Sequence, residues 1–244
     1  MITGSGSGFG KLGALAIAAR GHHVIATTET DEQAMTLTTE APHLQVERVD
    51  ITTSDVERVR EWDLDVLINN AGAGETGPLA DVPLTRVRRL FEVNVFGTLS
   101  VTQVAVAGMI AKRSGRIIIM SSISGVINGP GFGPYSMTKH ALEAMGKTMR
   151  GELAPTGVDV TLLNPGPYLT GFNDRMADSM WEWFSEQSLN GGEKDLFRFT
   201  GDLVTTDQRD PQEVVAKMVE LVEADTTTEN NFVPADLLAQ LGLA

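Results

Sequence analysis

The chain has 244 residues, of which 42% are hydrophobic, and it carries a formal net charge of −13. This length suits one α/β domain with a large core, and the acidic charge argues against nucleic acids and anionic membranes as partners. The chain has no cysteine, which excludes disulfides, thiolate nucleophiles and zinc–cysteine sites. Its four histidines show no metal-ligand spacing.

A glycine-rich loop, Thr-Gly-Ser-Gly-Ser-Gly-Phe-Gly, occupies residues 3–10. The apolar, alanine-rich run over residues 12–19 predicts a helix directly after it, closed by Gly21. Glycines let the backbone approach a pyrophosphate, whose charge meets the free N–H groups at the helix N-terminus. The loop therefore predicts a dinucleotide site, the alternative being a flexible glycine-serine tail. Where a buried strand is expected to precede the loop, the chain has only Met1 and Ile2.

Short apolar segments alternate with helical patterns along the rest of the chain. Strands are predicted at residues 24–28, 44–49, 66–68, 116–120 and 158–163, and helices at 84–112, at 135–153 and after Asp210-Pro211. Strands separated by helices imply a mostly parallel, doubly wound Rossmann-type sheet with helices on both faces. No repeat or linker interrupts the pattern, so we predict one domain over residues 1–244. The apolar stretch 99–111 is too short to span a bilayer, which predicts no membrane partner.

Polar motifs follow each of these predicted strands. In doubly wound sheets, ligands bind outside the carboxyl ends of the strands. The motifs at those ends are residues 3–10, Thr28-Glu29, Asp50, residues 69–72, Ser122 and residues 165–170. Their common position predicts a single binding site at one edge of the sheet.

Tyr135 and Lys139 are the side chains best suited to chemistry in this site. They are four residues apart in the predicted helix 135–153, so they lie on one helical face, and Ser122 precedes Tyr135 by thirteen residues. A phenol titrates near pH ~10, and a neighbouring ammonium lowers that pKa. The pair thus predicts an acid/base couple, with the serine hydroxyl holding a substrate oxygen. Taken alone, the Tyr-x-x-x-Lys spacing is more often an ordinary helix edge.

Together these motifs resemble the short-chain dehydrogenases/reductases. The resemblance covers residues 3–170 and is carried by the glycine loop 3–10, Asn-Asn-Ala-Gly at residues 69–72, Asn94, Ser122, Tyr135 with Lys139, and the Pro-Gly segment 165–170. It implies a Rossmann-type fold, a nicotinamide cofactor and a homodimer or homotetramer paired through the two long helices.

The resemblance also implies a role for individual residues. Tyr135 would be the general acid/base, Lys139 would lower its pKa and bind the nicotinamide ribose, and Ser122 would position the substrate carbonyl or hydroxyl. Asn94 would hold a water in a proton relay, the alternative being a polar residue at a helix irregularity. The implied cofactor contacts are Gly4, Ser5, Ser7, Gly8, Phe9, Gly10, Thr28, Glu29, Asp50, Ile51, Asn70, Ala71, Gly72, Tyr135, Lys139, Pro165, Gly166, Tyr168 and Thr170.

The choice of cofactor depends on the end of the second strand of the expected fold. NAD-binding proteins usually have an acid there, whereas NADP-binding proteins have an arginine nearby for the 2′-phosphate. This chain has Thr28 and Glu29 at that position and no basic residue in the glycine loop, so we predict NAD, with NADP possible. The alternatives are that Glu29 points into solvent and that Arg48 receives the phosphate. For Asp50, which would contact adenine beside Ile51, the alternative is a strand-end cap.

Residues 171–206 form a long connection, and such segments are often lids. Large apolar side chains in it are Met176, Met180, Trp181, Trp183, Phe184, Phe197 and Phe199. Side chains of this kind suit adaptable apolar pockets. We therefore predict a variable substrate-binding lid and a moderately hydrophobic alcohol or ketone as substrate, the alternative being two short helices that simply pack on the core.

The predicted function is hydride transfer between a nicotinamide cofactor and a secondary alcohol or ketone, in the cytoplasm. Two alternatives on the same fold are a non-catalytic dinucleotide-binding regulator and a lyase such as a dehalogenase. The first class typically loses the tyrosine or lysine, and the second has arginine at the lysine position. Apolar residues on several faces of the long helices predict a homo-oligomer: Val101, Val104, Ala105, Ala141, Met145 and Met149.

Overall fold

A parallel sheet forms the centre of the chain in the computed structural model, which describes residues 1–242. Its strands are β1 (Ile25–Thr28), β2 (Gln45–Arg48), β3 (Val66–Asn69), β4 (Gly115–Met120), β5 (Val158–Pro165) and β6 (Asn230–Val233). All observed pairings are parallel: β1 with β2, and β3 with β4, β4 with β5 and β5 with β6. The parallel sheet predicted from the sequence is thus confirmed.

Ile2 joins the two groups of strands. It forms parallel bridges to Ala26 in β1 and to Ile68 in β3, and its backbone N–H donates to the Ile25 carbonyl over 2.9 Å. The strand expected before the glycine loop is therefore reduced to one bridged residue. It places the loop between β1 and β3, near the centre of the sheet.

Both faces of the sheet are buried because side chains alternate between them along each strand. Ile117 and Ile119 of β4 belong to one apolar cluster, whereas Ile118 and Met120 belong to the other. Helices cover each face: α1 (Gly8–Ala19), α2 (Asp31–Glu40) and α8 (Gln212–Glu223) on one, and α4 (Thr98–Lys112) and α5 (Gly133–Leu153) on the other. This three-layer arrangement is the doubly wound fold expected from the alternating strands and helices.

The helix predicted over residues 84–112 is continuous but not uniform. It consists of α3 (Leu84–Phe91), a π-helical segment (Glu92–Gly97) and α4. The whole run of 29 residues is long and apolar enough to cross a membrane by length and composition, but core helices meet the same criterion, so the expectation of no membrane partner stays a prediction. Its inward side chains, including Val101 and Met109, are buried in the core cluster.

The apolar residues that suggested a partner helix mostly serve the chain's own core. Val101, Val104 and Ala105 are buried, and Met145 and Met149 pack against the same cluster. The second apolar stripe inferred from the sequence is therefore largely covered within one chain. On these helices and the π-helical segment between α3 and α4, the exposed large apolar residues are Phe96, Ile110 and Met137.

Several elements were not predicted because their sequences are polar or short. Helix α2 carries mostly polar residues, and β6 begins with Asn230 and Asn231. The signal for α2 was its N-cap, since the Thr30 side chain accepts a hydrogen bond from the Gln33 N–H at 3.2 Å. The segment 171–206 contains α6 (Phe172–Ser179) and α7 (Lys194–Thr205), and α9 (Leu237–Gln240) follows β6.

Candidate active site

The glycine loop turns sharply before α1 because two of its glycines have left-handed backbone angles, with φ of +67° at Gly4 and +54° at Gly8. Gly10 has a different reason for lacking a side chain. A Cβ atom there would lie 2.3 Å from the Gly4 carbonyl oxygen and 2.5 Å from Nδ2 of Asn70. The loop is therefore packed against the start of α1 and exposes backbone along the sheet edge.

Asn70 and Thr3 fasten this loop to the end of β3. Nδ2 of Asn70 donates to the carbonyl oxygens of Thr3 at 2.9 Å and Gly4 at 3.2 Å. In return, Oγ1 of Thr3 accepts from the backbone N–H groups of Asn70 and Ala71, each at 3.0 Å. The Asn-Asn-Ala-Gly motif thus holds the loop in position.

A cavity of about 300 Å³ runs along the carboxyl edge of the sheet. Among the predicted site residues that line it are Gly4, Ser7, Gly8, Phe9, Glu29, Asp50, Ile51, Asn70, Ala71, Gly72, Ser122, Tyr135, Lys139, Pro165, Gly166, Tyr168 and Thr170. The structure therefore brings the motifs from five strand ends and the glycine loop to one cavity, as their common position predicted.

Four predicted site residues lie outside the lining of this cavity: Ser5, Gly10, Thr28 and Asn94. Ser5 is fully buried, and its hydroxyl donates to the Ile2 carbonyl at 3.1 Å. The Thr28 hydroxyl is likewise used within the chain, on the Thr30 carbonyl at 3.2 Å. These residues shape the loop and the strand end rather than contacting what the cavity holds.

The side chain of Asn94 connects the turn after β3 to α5. It lies in the π-helical segment, 1% exposed, and its Nδ2 donates to the Ala73 carbonyl at 2.9 Å and to Oγ1 of Thr138 at 3.0 Å. Its Oδ1 accepts from the Ala73 N–H at 2.8 Å. Both amide hydrogens of the side chain are engaged with protein groups, and the proton relay stays a prediction. Asn94 fixes the turn after β3 against α5.

Tyr135 lies in the first turns of α5, with its ring beside Phe172 at a centroid distance of 5.8 Å. Ser122 follows β4 and lines the same cavity, and its Oγ accepts from the Ser124 N–H at 3.1 Å. Burial raises the pKa of Tyr135, and the nearby Ser122 hydroxyl opposes that rise. Burial therefore has the larger effect on this pKa, and the lowering expected from Lys139 stays a prediction.

Lys139 is 5% exposed and lies one helical turn after Tyr135. Its Nζ lies over the Tyr135 ring, 5.5 Å from the centroid, and donates to the Met120 carbonyl at 2.8 Å. Burial lowers the pKa of Lys139 to about 8, against the opposing charge of Glu143. A charged hydrogen-bond donor therefore lies beside the phenol at neutral pH.

Glu29 and Arg48 differ in their relation to the cavity. Glu29 is exposed and lines it, and its backbone N–H donates to the Gln33 side chain at 3.1 Å. Arg48 is not part of the lining; its Nη1 forms an ion pair with Asp55 at 2.9 Å. The cation that was the alternative partner of a 2′-phosphate is thus paired with a carboxylate.

Asp50 lines the cavity and also caps its own strand end. Its Oδ1 accepts from the backbone N–H and the hydroxyl of Thr52, at 2.9 and 2.7 Å. Tyr168 is almost fully buried, with its hydroxyl donating to Glu213 at 2.7 Å. Its side chain is therefore committed to α8, which leaves its backbone for the cavity.

Sequence reasoning missed several side chains of this site. Arg89, Phe172 and Arg175 line the cavity, although no motif marks them. Glu143 lies behind Lys139 and is 5% exposed. The only available signal was its spacing, one helical turn beyond Lys139.

Most large apolar residues of the segment 171–206 do not line the cavity. Met180, Phe184 and Phe197 form a separate buried cluster, with Trp183 packed against it. Met176 does line the cavity. The packing alternative is therefore correct for most of this segment, while α6 contributes to the cavity wall.

Polar contacts join this segment to the loop after β3. Nε1 of Trp183 donates to Glu75 at 3.1 Å, and Glu75 also pairs with Arg86 at 3.0 Å. The Thr76 hydroxyl donates to the Met176 carbonyl at 2.9 Å. The segment is thus held against the site by a nearly buried carboxylate.

Comparisons with known proteins agree with this site. Residues 1–181 match the short chain dehydrogenase family model. An oxidoreductase of Bacillus subtilis, YusZ, is 39% identical over 183 residues, and an NADPH-dependent 3-dehydrocapnine reductase of Ornithobacterium rhinotracheale is 35% identical over 184 residues. Each alignment covers 70% of this chain and 65% of the relative, so the matched part spans less than two thirds of those proteins.

The fold has a solved counterpart over nearly its whole length. A short-chain dehydrogenase from Streptomyces avermitilis superposes with a TM-score of 0.84 at 28% identity, covering 99% of this chain and 90% of that protein. Family model, curated relatives and solved structure agree with the motifs that converge on the cavity. The chain belongs to the short-chain dehydrogenase family.

Proposed function

We propose that the protein transfers a hydride between a nicotinamide dinucleotide and a secondary alcohol or ketone of moderately hydrophobic character. The observation that carries the proposal is the meeting of Tyr135, Ser122 and Lys139 in the same cavity as the glycine loop and Glu29. Such a reaction needs an acid/base group to transfer the proton and a binding site for the dinucleotide in the same cavity.

The chain's own residues supply proton transfer and orientation. Tyr135 would take the hydroxyl proton of an alcohol, or donate its phenolic proton to a ketone oxygen, and Ser122 would hold that same oxygen. Lys139 would place positive charge beside the phenol, which favours its ionised form. When bound, the dinucleotide accepts or supplies the hydride.

The experiment is an absorbance assay at the reduced-nicotinamide band, over a panel of alcohols and ketones with both NAD(H) and NADP(H). We expect turnover of at least one compound with an apolar body. A protein that binds the dinucleotide and turns over no member of the panel would favour the regulatory alternative.

The apolar character of the substrate rests on the part of the cavity lining that the segment 171–206 supplies. Phe172, Met176 and Val204 line the cavity, together with the polar Asn173 and Arg175 of the same segment. Apolar walls with a few convergent polar groups are typical of small-molecule sites. We propose that this segment is the lid over the substrate.

We propose NAD(H) as the preferred cofactor. Glu29 lines the cavity and Arg48 is paired with Asp55, which supports this choice. The Ornithobacterium relative is named as NADPH-dependent, which supports the opposite choice. Arg89, which also lines the cavity, would be the candidate phosphate partner in that case.

Glu29→Arg is expected to shift preference toward NADP(H) by at least about tenfold in kcat/KM. A 2′-phosphate carries nearly two negative charges, and a guanidinium offers it a planar, charge-assisted hydrogen-bond fork. Such a bond is worth about 1.5–3 kcal/mol. Initial rates of wild type and variant with both cofactors measure the shift.

The control for this variant is Arg89→Met. If wild type already prefers NADP(H) and Arg89→Met removes that preference, Glu29 does not set cofactor choice and the proposal for NAD is wrong. Retention of the wild-type preference by Glu29→Arg would contradict it equally.

We further propose that the protein is a homodimer or homotetramer located in the cytoplasm. Phe96, Ile110 and Met137 are exposed apolar residues on or next to the long helices, and their burial in a partner would explain them. Sedimentation at micromolar concentration is expected to show a species of at least twice 26.2 kDa. A monomer alone at that concentration would overturn the oligomer proposal.

A further inference from the structure

Glu143 is a buried carboxylate with donors on both oxygens. Its Oε1 accepts from the Ser121 hydroxyl and from Nδ2 of Asn164, each at 2.6 Å. Its Oε2 accepts from Nδ2 of Asn230 at 2.7 Å and forms an ion pair with Lys147 at 3.3 Å. These partners lie at the ends of β4 and β5, the start of β6 and the next turn of α5.

The contacts fit an ionised carboxylate. Amide nitrogens and ammonium groups can only donate, and a carboxylate only accepts. Asn164 is fully buried and Glu143 is 5% exposed, so the charge is largely removed from water and depends on these hydrogen bonds. Both carboxylate oxygens thus accept hydrogen bonds from groups on neighbouring elements.

Glu143 lies one helical turn beyond Lys139, which is buried to the same extent. The groups that face Lys139 are Tyr135 and Glu143 from α5 and the Met120 carbonyl from β4. Among these groups, Glu143 is the one whose negative charge raises the pKa of Lys139 against burial. Tyr135, Lys139 and Glu143 follow one another at one-turn intervals along α5, and the carboxylate forms its ion pair with Lys147, so its charge acts on Lys139 without a direct ion pair.

We propose that Glu143 is a positioning residue that keeps Lys139 protonated beside Tyr135, and that its hydrogen bonds to three strands hold it ready for this task. The inference rests on the proposed function, since it gives Lys139 a catalytic charge to maintain. The residue that keeps Lys139 charged would therefore lie outside the Tyr-x-x-x-Lys motif.

The first test needs no substrate. Denaturant midpoints at pH 7 are compared for wild type, Lys139→Met, Glu143→Gln and the double variant. Glu143→Gln exchanges one acceptor oxygen for an NH2 group in both backgrounds, so the change in the contacts to Ser121, Asn164 and Asn230 is the same in each. We expect Glu143→Gln to lower the denaturant midpoint less in the Lys139→Met background than in wild type. In that background the substitution leaves no buried cation without its anion.

Additive effects in this cycle would overturn the proposal, because Glu143 would then act only through its neutral partners. If Glu143→Gln alone fails to fold, we expect the double variant to fold. Failure of the double variant, with Lys139→Met folded, would overturn the proposal as well.

The second test is the pH profile of turnover. Without Glu143 the pKa of Lys139 falls below its value of about 8, so the ammonium is lost at lower pH. We expect the alkaline loss of kcat/KM in Glu143→Gln to begin at least about one pH unit lower, a change of about 1.36 kcal/mol. Lys147→Met removes a cation near Lys139 rather than the anion, so it should not move the alkaline loss to lower pH.

The outcomes separate this inference from the proposed function. An unshifted profile in a Glu143→Gln variant that still turns over substrate would overturn the inference and leave the function intact. Absence of turnover in wild type would count against the function, and the stability cycle would still decide whether Glu143 and Lys139 are coupled.

Discussion

Tyr135→Phe is expected to abolish turnover while the dissociation constant of the dinucleotide changes little. The ring retains its contact with Phe172, but the variant has no transferable proton. General acid–base catalysis contributes about 10²–10⁴-fold, so we expect a loss of kcat of at least that order. Nicotinamide fluorescence titration and initial rates measure the two quantities separately.

The burial of Tyr135 decides how this result is interpreted. Phenylalanine has nearly the same shape and leaves no buried hydroxyl, so the denaturant midpoint should not fall. A variant with wild-type kcat would show that Tyr135 is not the acid/base. A variant that loses dinucleotide binding as well would show that the phenol also holds the cofactor.

Lys139→Met is expected to damage both turnover and dinucleotide affinity. Turnover should fall by at least about 10²-fold, because the charge beside the phenol is lost. A charged hydrogen bond to the ribose is worth about 1.5–3 kcal/mol, so the dissociation constant should rise by about tenfold to a hundredfold. Rates and fluorescence titration measure both effects.

Lys147→Met is the matched control for Lys139→Met. It makes the same change two turns along the same helix, where the side chain is 42% exposed. It should leave turnover and affinity near wild type. An unchanged dinucleotide affinity in Lys139→Met would remove the ribose contact from the proposed function.

The sequence predicted the sheet because its strands are short apolar runs buried on both faces, as in Ile117 to Ile119. It also predicted where the site lies, because parallel strands end at one edge and polar motifs follow those ends. It did not predict β6, whose residues Asn230 and Asn231 are polar for a reason outside the strand. They hydrogen bond to Glu143 and to Thr161, contacts that join residues far apart in the chain.

The sequence predicted which side chains belong to the site, but it did not predict which groups they contact. The ion pair of Arg48 with Asp55 and the packing of Asn94 against Ala73 depend on how neighbouring elements meet. The pKa of Tyr135 depends on burial, which spacing along a helix does not determine. For the same reason, the aromatic residues of the segment 171–206 were expected at the cavity, whereas Phe184 and Phe197 pack on each other.

That separate aromatic cluster has a practical consequence for altering substrate selectivity. The residues that hold the segment together, Met180, Phe184 and Phe197, are distinct from those that face the cavity, Phe172, Met176 and Val204. Because the two sets share no member, the cavity wall can be randomised in a library while the segment's internal packing stays intact. Such a library would sample new substrates while Met180, Phe184 and Phe197 continue to hold the segment together.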